Sequence, residues 1–124
     1  MSAVEIIREE LCRLGHAAEI VSFPNYGRVV VFDYTVDAGP HSGKSYRIGI
    51  SFQETGYPEY PPHFIHICNA PPLNLTAHST YDEGDAKWSA FSVPPNDFWD
   101  SLPAEHKNMK TYLNKHVRRF WAKT

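Results

Sequence analysis

Hydrophobic residues at the start of the chain recur every three or four positions. Four apolar residues follow this spacing and a glycine comes directly after them: Val4, Ile7, Leu11, Leu14 and Gly15. This spacing is typical of one face of a helix that ends at the glycine, and Ser2 followed by Glu5 matches a capping box. Residues 3–14 are therefore predicted to form an amphipathic helix, with Cys12 half-buried at the edge of its apolar stripe. Three charged residues are expected on the solvent side: Glu9, Glu10 and Arg13.

After residue 18 the pattern changes to runs of β-branched and aromatic residues separated by Pro, Asn and Gly. The runs are 19–23, 28–36, 45–52 and 64–67. Val, Ile, Tyr and Phe favour strands, and the residues between the runs favour turns. Because the connections are short, the four runs are predicted to form an antiparallel meander.

The apolar pattern is lost between residues 69 and 97, where no clear period is present, and it returns at helical spacing after residue 101. A long irregular segment in a compact domain is usually functional. Ser101 and Pro103 suit the start of a helix that is predicted to reach about residue 121. Six residues are expected on its buried face: Leu102, His106, Met109, Leu113, Val117 and Phe120. The predicted fold class is α+β, in one domain spanning residues 1–124: a helix, a four-stranded antiparallel meander, a long irregular segment and a C-terminal helix.

Composition and charge exclude several classes of function. The net charge is −2 and the isoelectric point is near 6.4, so no general attraction to nucleic acid is expected. No run of ~18 apolar residues is present, so no membrane association is predicted. The N-terminus is too acidic for a secretory signal, and Cys12 and Cys68 are read as free thiols of a cytoplasmic protein. The seven histidines lack the spacing of zinc sites, so neither a metal site nor a cofactor is predicted.

A proline-rich turn separates the third predicted strand from the fourth. Its sequence is Tyr-Pro-Glu-Tyr-Pro-Pro, from residue 57 to residue 62. Proline fixes φ and disfavours the helical region for the residue before it. The segment is therefore predicted to be a stiff turn that determines how one strand leads into the next.

This order of elements, with a tyrosine–proline turn leaving the third strand, resembles the ubiquitin-conjugating enzyme (E2) superfamily and its UBC fold. Four residues match the family's turn at every fixed position: Tyr57, Pro58, Pro61 and Pro62. Trp99, followed by Ser101-Leu102-Pro103, resembles the family's tryptophan and the start of its next helix. The resemblance covers about residues 3–121 and is closest to small bacterial E2-like proteins of ubiquitin-like conjugation operons. It implies a transferase whose partners are a ubiquitin-like protein and an E1-like activating enzyme.

The family's catalytic residues are missing from this chain. The family has a His-Pro-Asn motif and then a cysteine about eight residues before the tryptophan, whereas the residue eight before Trp99 is Phe91. The resemblance of the local sequence favours Ser89 as the acyl acceptor, with Ser92 as an alternative nucleophile. A serine hydroxyl needs a base, and His78 is the first choice because histidine titrates near neutral pH.

Two other interpretations remain open. In one, Cys68 carries a thioester, because a thiol is the better nucleophile when its pKa is lowered and His66 lies on the same face of the strand. In the other, the protein is a non-catalytic E2 variant that binds a ubiquitin-like protein or an E2 partner. The absent cysteine and His-Pro-Asn motif favour the non-catalytic variant, whereas the retained Trp99 and the acidic loop before Ser89 favour an enzyme.

Overall fold

The computed structural model describes residues 2–52, 56–94 and 96–124. Helix α1 spans Ala3–Arg13 and begins with the predicted capping box, in which Ser2 and Glu5 accept hydrogen bonds from each other's backbone N–H groups. Three residues of its apolar stripe are buried: Val4, Ile7 and Leu11. Cys12 is exposed rather than half-buried, because it lies one position past Leu11 and rotates out of the stripe.

The described residues form one antiparallel sheet of six strands. Their bounds are β1 (Glu19–Phe23), β2 (Gly27–Thr35), β3 (Ser45–Ser51), β4 (Phe64–Cys68), β5 (Ser79–Glu83) and β6 (Ala86–Ser92). The order across the sheet is β1-β2-β3-β4-β6-β5. The first four strands coincide with the predicted runs to within one residue, but the sheet has two strands more than the predicted meander.

The two additional strands lie inside the stretch predicted to be irregular. Strands β5 and β6 form a hairpin whose turn contains Gly84 at φ 62°, a backbone conformation that favours glycine. Strand β6 returns between β4 and β5, so that Ile67 is paired with Ser89. The prediction of one long irregular segment is therefore wrong. Among the described residues between β4 and α2, irregular backbone is confined to 69–78, the Gly84 turn and 93–94.

The C-terminal region contains several short helical segments instead of one helix from residue 101. They are α2 (Asn96–Asp100), a 3-10 turn (Ala104–His106), α3 (Met109–Thr111), a π-helical stretch (Tyr112–Val117) and α4 (Arg118–Ala122). The last three are continuous and are called the C-terminal helix, which spans residues 109–122. Its N-terminus is capped by the Asn108 side chain, which accepts from the backbone N–H of Thr111. The expectation that His106 is buried is wrong, because it lies in the 3-10 turn before this helix.

Both faces of the sheet bear apolar residues. One face packs against α1 and the C-terminal helix and forms the main core, which includes Phe32, Ile67 and Trp121. The opposite face carries a second, smaller core formed by Phe23, Val29, Val31 and Trp88. Phe23 of β1 lies 4.9 Å from Trp88 of β6, measured between ring centroids, although three strands separate them in the sheet. The sheet is therefore strongly curled around this smaller core.

The proline-rich turn is anchored to two helical regions through buried aromatic residues. The hydroxyl of Tyr57 donates to Glu10 Oε1 at 2.9 Å, and the backbone N–H of Met109 donates to the same oxygen, also at 2.9 Å. Trp99 is completely buried, and its Nε1–H donates to the carbonyl of Pro58 at 2.7 Å. The Tyr57–Pro58 peptide bond is cis. Glu10, which was predicted to face solvent, thus connects α1, the turn and the C-terminal helix.

We expect Glu10→Ala to lower the free energy of unfolding by about 2–3 kcal/mol, because it removes a charged acceptor from a tyrosine hydroxyl and a backbone N–H at once. The matched control is Glu9→Ala in the same helix, where the one described partner of the carboxylate is the exposed Arg13. That pair is expected to contribute less than about 1 kcal/mol. Urea unfolding of both variants measures the difference, and equal losses would contradict the role assigned to Glu10.

Candidate functional site

Ser89 lies in the middle of a strand rather than in a loop. It is half-buried in β6, between Ile67 of β4 and Thr80 of β5. Its hydroxyl makes no hydrogen bond to any residue that the structure describes. A serine hydroxyl is a weak nucleophile without an adjacent base, so the geometry offers Ser89 little support as a nucleophile.

His78, the base predicted for Ser89, lies just before β5 and is exposed. Its backbone N–H donates to the carbonyl of Ala90 at 2.7 Å, and its ring lies 5.5 Å from that of Phe64. No hydrogen bond joins His78 to Ser89 within the described part of the chain. The catalytic pairing of these two residues therefore stays a prediction without geometric support.

Cys68 occupies the last position of β4 and is partly buried. Desolvation raises the pKa of its thiol, and the nearby Arg47 charge opposes this effect only in part. A raised pKa lowers the fraction of thiolate, which is the reactive form. His66 lies two residues away in β4, as predicted, but its ring nitrogens bond to Ser51 and Tyr81 rather than to the thiol. The environment of Cys68 is that of a structural thiol.

Ser92, the alternative nucleophile, is paired with a histidine. Its Oγ lies 2.7 Å from Nε2 of His63, a residue that the sequence did not single out. Ser92 is the exposed last residue of β6, and His63 directly precedes β4. The backbone of His63 donates to Ser51 at 2.8 Å and accepts from Val93 at 2.9 Å. The two side chains are thus presented by adjacent strands whose ladders fix their separation.

This Ser92–His63 pair has the geometry of a nucleophile and its base. A separation of about 2.6–3.2 Å between hydroxyl oxygen and ring nitrogen allows the base to take the proton as the oxygen attacks. When Nε2 carries no proton, Ser92 donates its hydroxyl hydrogen to it. Of the serines considered from the sequence, Ser92 is the one that the structure places beside a base.

A surface cleft of about 390 Å³ lies beside Ser92, which is one of its lining residues. Its walls come from residues 75–76, the end of β6 with the following residues 93–94, α2 and the C-terminal helix. Phe91, Phe98 and Phe120 supply apolar surface, and Asp97, Arg119 and Lys123 supply charge. A volume of this size is in the range of small-molecule sites.

His116 lines the same cleft from the π-helical stretch. Its Nε2 donates to the carbonyl of Val93 at 2.7 Å, which connects the C-terminal helix to the end of β6. Burial lowers the pKa of His116 to about 4, while its hydrogen bond to Val93 opposes the shift. His116 is therefore neutral near pH 7 and holds the wall of the cleft in place.

A second histidine is buried beneath the curled sheet. His66 is fully buried, and its Nε2 lies 2.7 Å from Ser51 Oγ while its Nδ1 lies 2.6 Å from the Tyr81 hydroxyl. Burial lowers the pKa of His66 to about 3. A neutral imidazole has one donor and one acceptor nitrogen, and a hydroxyl can complement either. This network joins β3, β4 and β5. His66 and Ser51 are fully buried and Tyr81 is partly buried, which indicates a structural role.

Comparison of the chain with models of known protein families, with functionally described proteins and with solved structures finds no match in any of the three. Within the described residues, no three His, Cys, Asp or Glu side chains are grouped so that they could hold a metal ion. The helices of the described ranges are all too short or too polar to cross a membrane. The function must therefore be argued from the site itself.

The two buried histidines predict a loss of stability in mild acid. The unfolded chain binds protons at the ordinary pKa of 6.5, whereas folded His116 and His66 bind them only near 4 and 3. The unfolded state therefore holds more protons below pH 6.5, and the free energy of unfolding falls as the pH falls. Between pH 6 and pH 5 we expect a loss of about 1 kcal/mol for each of the two histidines.

Urea unfolding at pH 6 and pH 5 measures this loss, and His66→Gln should remove about half of it. His106→Gln, which removes an exposed histidine, serves as the matched control and should keep the full loss. The assignment to His66 fails if its variant shows the same pH-dependent loss as the unmodified protein.

Proposed function

We propose that the protein is an E2-like carrier that accepts the C-terminus of a ubiquitin-like protein from an E1-like partner as an ester on Ser92. It then transfers this acyl group to an amine. The observation that carries the proposal is the 2.7 Å contact between Ser92 Oγ and His63 Nε2 at an exposed strand end beside a cleft. The proposal of an E2-like carrier, rather than another acyl transferase, rests on the resemblance of the turn at residues 57–62 and of Trp99 to the E2 family.

Loading begins with attack of Ser92 Oγ on the carbonyl carbon of the E1-bound thioester. His63 Nε2 takes the hydroxyl proton as the C–O bond forms. The C–S bond then breaks, and the E1 thiolate leaves and receives that proton from the imidazolium. The products are an oxyester on Ser92, a free E1 thiol and a neutral His63.

Transfer reverses the roles of the same two groups. An amine attacks the ester carbonyl, and His63 takes a proton from the attacking nitrogen. The C–O bond breaks, and the proton moves from His63 to the departing Ser92 oxygen. The amide product leaves Ser92 and His63 in their starting protonation states, ready for another cycle.

Position along the chain also supports Ser92. It lies seven residues before Trp99, close to the family's spacing of about eight between nucleophile and tryptophan, whereas Ser89 lies ten residues before it. Trp99 in turn donates to Pro58, within the turn that carries the resemblance. Base, turn and tryptophan thus belong to one connected part of the molecule, because His63 directly follows Pro62.

The second candidate function is a non-catalytic E2 variant that binds a ubiquitin-like protein or an E2 partner. It is favoured by the position of Ser89, which lies within a paired strand and has no base bonded to it among the described residues. The raised pKa of Cys68 also disfavours a thioester there. In this alternative the Ser92–His63 hydrogen bond would only fasten β6 to the start of β4.

Ser92→Ala should abolish covalent loading, because it removes the attacking oxygen. The measurement is the intact mass of the protein after incubation with an E1-like enzyme, a ubiquitin-like protein and ATP. Ser89→Ala is the matched control, since it makes the same change three residues away in the same strand. It should load normally, and the adduct should resist thiol reductant but be cleaved by hydroxylamine.

His63→Gln should slow loading by about 10²–10⁴-fold, as expected when a general base is removed. A Ser92 variant that still loads while the Ser89 variant does not would return the nucleophile to Ser89. An adduct released by thiol reductant would be a thioester and would identify Cys68 as the nucleophile. If no adduct forms although E1 and the ubiquitin-like protein are active together, the non-catalytic variant replaces the enzyme.

A further inference from the structure

We infer that the cleft between the end of β6, α2 and the C-terminal helix binds an amphipathic anion, namely a carboxylate attached to an aromatic or branched apolar group. Arg119 and Lys123 would hold the carboxylate, and Phe98 and Phe120 would contact the apolar group. This inference concerns non-covalent binding and does not depend on ester formation at Ser92.

The apolar part of the cleft is formed by side chains that converge from different elements. Phe120 comes from the C-terminal helix, Phe98 from α2 and Phe91 from β6. Phe91 and Phe120 are mostly buried and contact each other edge to face at 5.4 Å between centroids, so this wall is firmly packed. An apolar ligand group would remove aromatic surface from water, which favours binding.

The described lining of the cleft carries more positive than negative side chains. Arg119 and Lys123 form no ion pair within the described ranges, whereas the adjacent Arg118 pairs with Asp37 at 3.5 Å. The guanidinium carbon of Arg119 lies 5.9 Å from the centroid of Phe98, a cation–π distance. Arg119 is thus held at the aromatic wall with its donors available to a ligand.

The fields of both cations extend into the cleft. After burial, which is the main cause, Arg119 and Lys123 are also among the groups that lower the pKa of His116, and His116 lines the same space. With His116 neutral, the lining carries two cations and the single carboxylate of Asp97, which leaves one net positive charge among the described lining residues. A monoanion complements this charge.

A carboxylate beside an apolar group could come from a free organic acid or from a peptide in which an acidic residue follows an apolar one. Both sources present the same chemistry to Arg119 and Phe98. Two ligands distinguish these two sources of the carboxylate: 4-phenylbutyrate represents the free acid, and acetyl-Phe-Asp-amide represents the peptide. The neutral counterparts, 4-phenylbutanamide and acetyl-Phe-Asn-amide, keep the shape and remove the charge.

The experiment is a titration of ¹⁵N-labelled protein with each of the four ligands, followed by amide chemical shifts. We expect saturable shifts clustered at Ser92, Phe98 and Phe120 with at least one anionic ligand, and at least tenfold weaker binding of its neutral counterpart. Binding of the acid alone identifies a small-molecule source, and binding of the peptide alone identifies a peptide source. No E1-like enzyme or ATP is present, so failure here is distinguishable from failure of the proposed transfer.

The double variant Arg119→Gln/Lys123→Gln should weaken binding of the anionic ligand at least tenfold, because it removes both cations. Lys110→Gln/Lys115→Gln is the matched control, since it removes two exposed charges from the same helix outside the cleft. The control should bind like the unmodified protein. Equal affinity for anionic and neutral ligands, equal weakening in both double variants, or no saturable shifts at the cleft would overturn the inference.

Discussion

The packing of the helices and the proline turn depends most on the two hydrogen bonds that the Glu10 carboxylate accepts. One oxygen accepts from the Tyr57 hydroxyl and from the backbone N–H of Met109, which lies 99 residues away. It lies at the N-terminus of the C-terminal helix, where a negative charge is favoured by the helix dipole. Trp99 donates to Pro58 and completes the connection. The proline turn is thereby fixed against both helical ends of the chain, and His63 immediately follows that turn.

The curl of the sheet has consequences for both of its faces. Phe23 in β1 reaches Trp88 in β6, and the Tyr26 hydroxyl bonds to Ser79 in β5, so the two edges of the sheet approach each other. This encloses His66 and Ser51 on one face, where both side chains are fully buried. On the helix-covered face, the cleft opens where β6 ends and the C-terminal helix passes over it. Accessible chemistry is therefore expected at the strand ends.

The helix at residues 3–14 and the first four strands were predictable from the sequence. Burial of one face of a helix or strand imposes a regular spacing of apolar residues that can be recognised directly. Strands β5 and β6 were missed since their short, serine-rich and charged segments lack a clear period; β5 is also an edge strand with alternate residues exposed. The interior role of Glu10 was also missed, because its partners are remote in the chain. Ser92 was weighed from its distance to Trp99, but its base could not be identified, since β4–β6 pairing creates the contact with His63.

The contact between Ser92 and His63 decides how the candidate nucleophiles are ranked. Local sequence similarity favoured Ser89, yet its side chain is half-buried, and no base is bonded to it among the described residues. Ser92 lies where the ladder with β5 has already ended, and the ladder with β4 still holds it beside His63. A nucleophile must be accessible to the donor and also fixed relative to its base. In this fold the end of β6 satisfies both requirements, because the ladder with β5 ends at Ala90 and the ladder with β4 continues for two more residues, to Ser92.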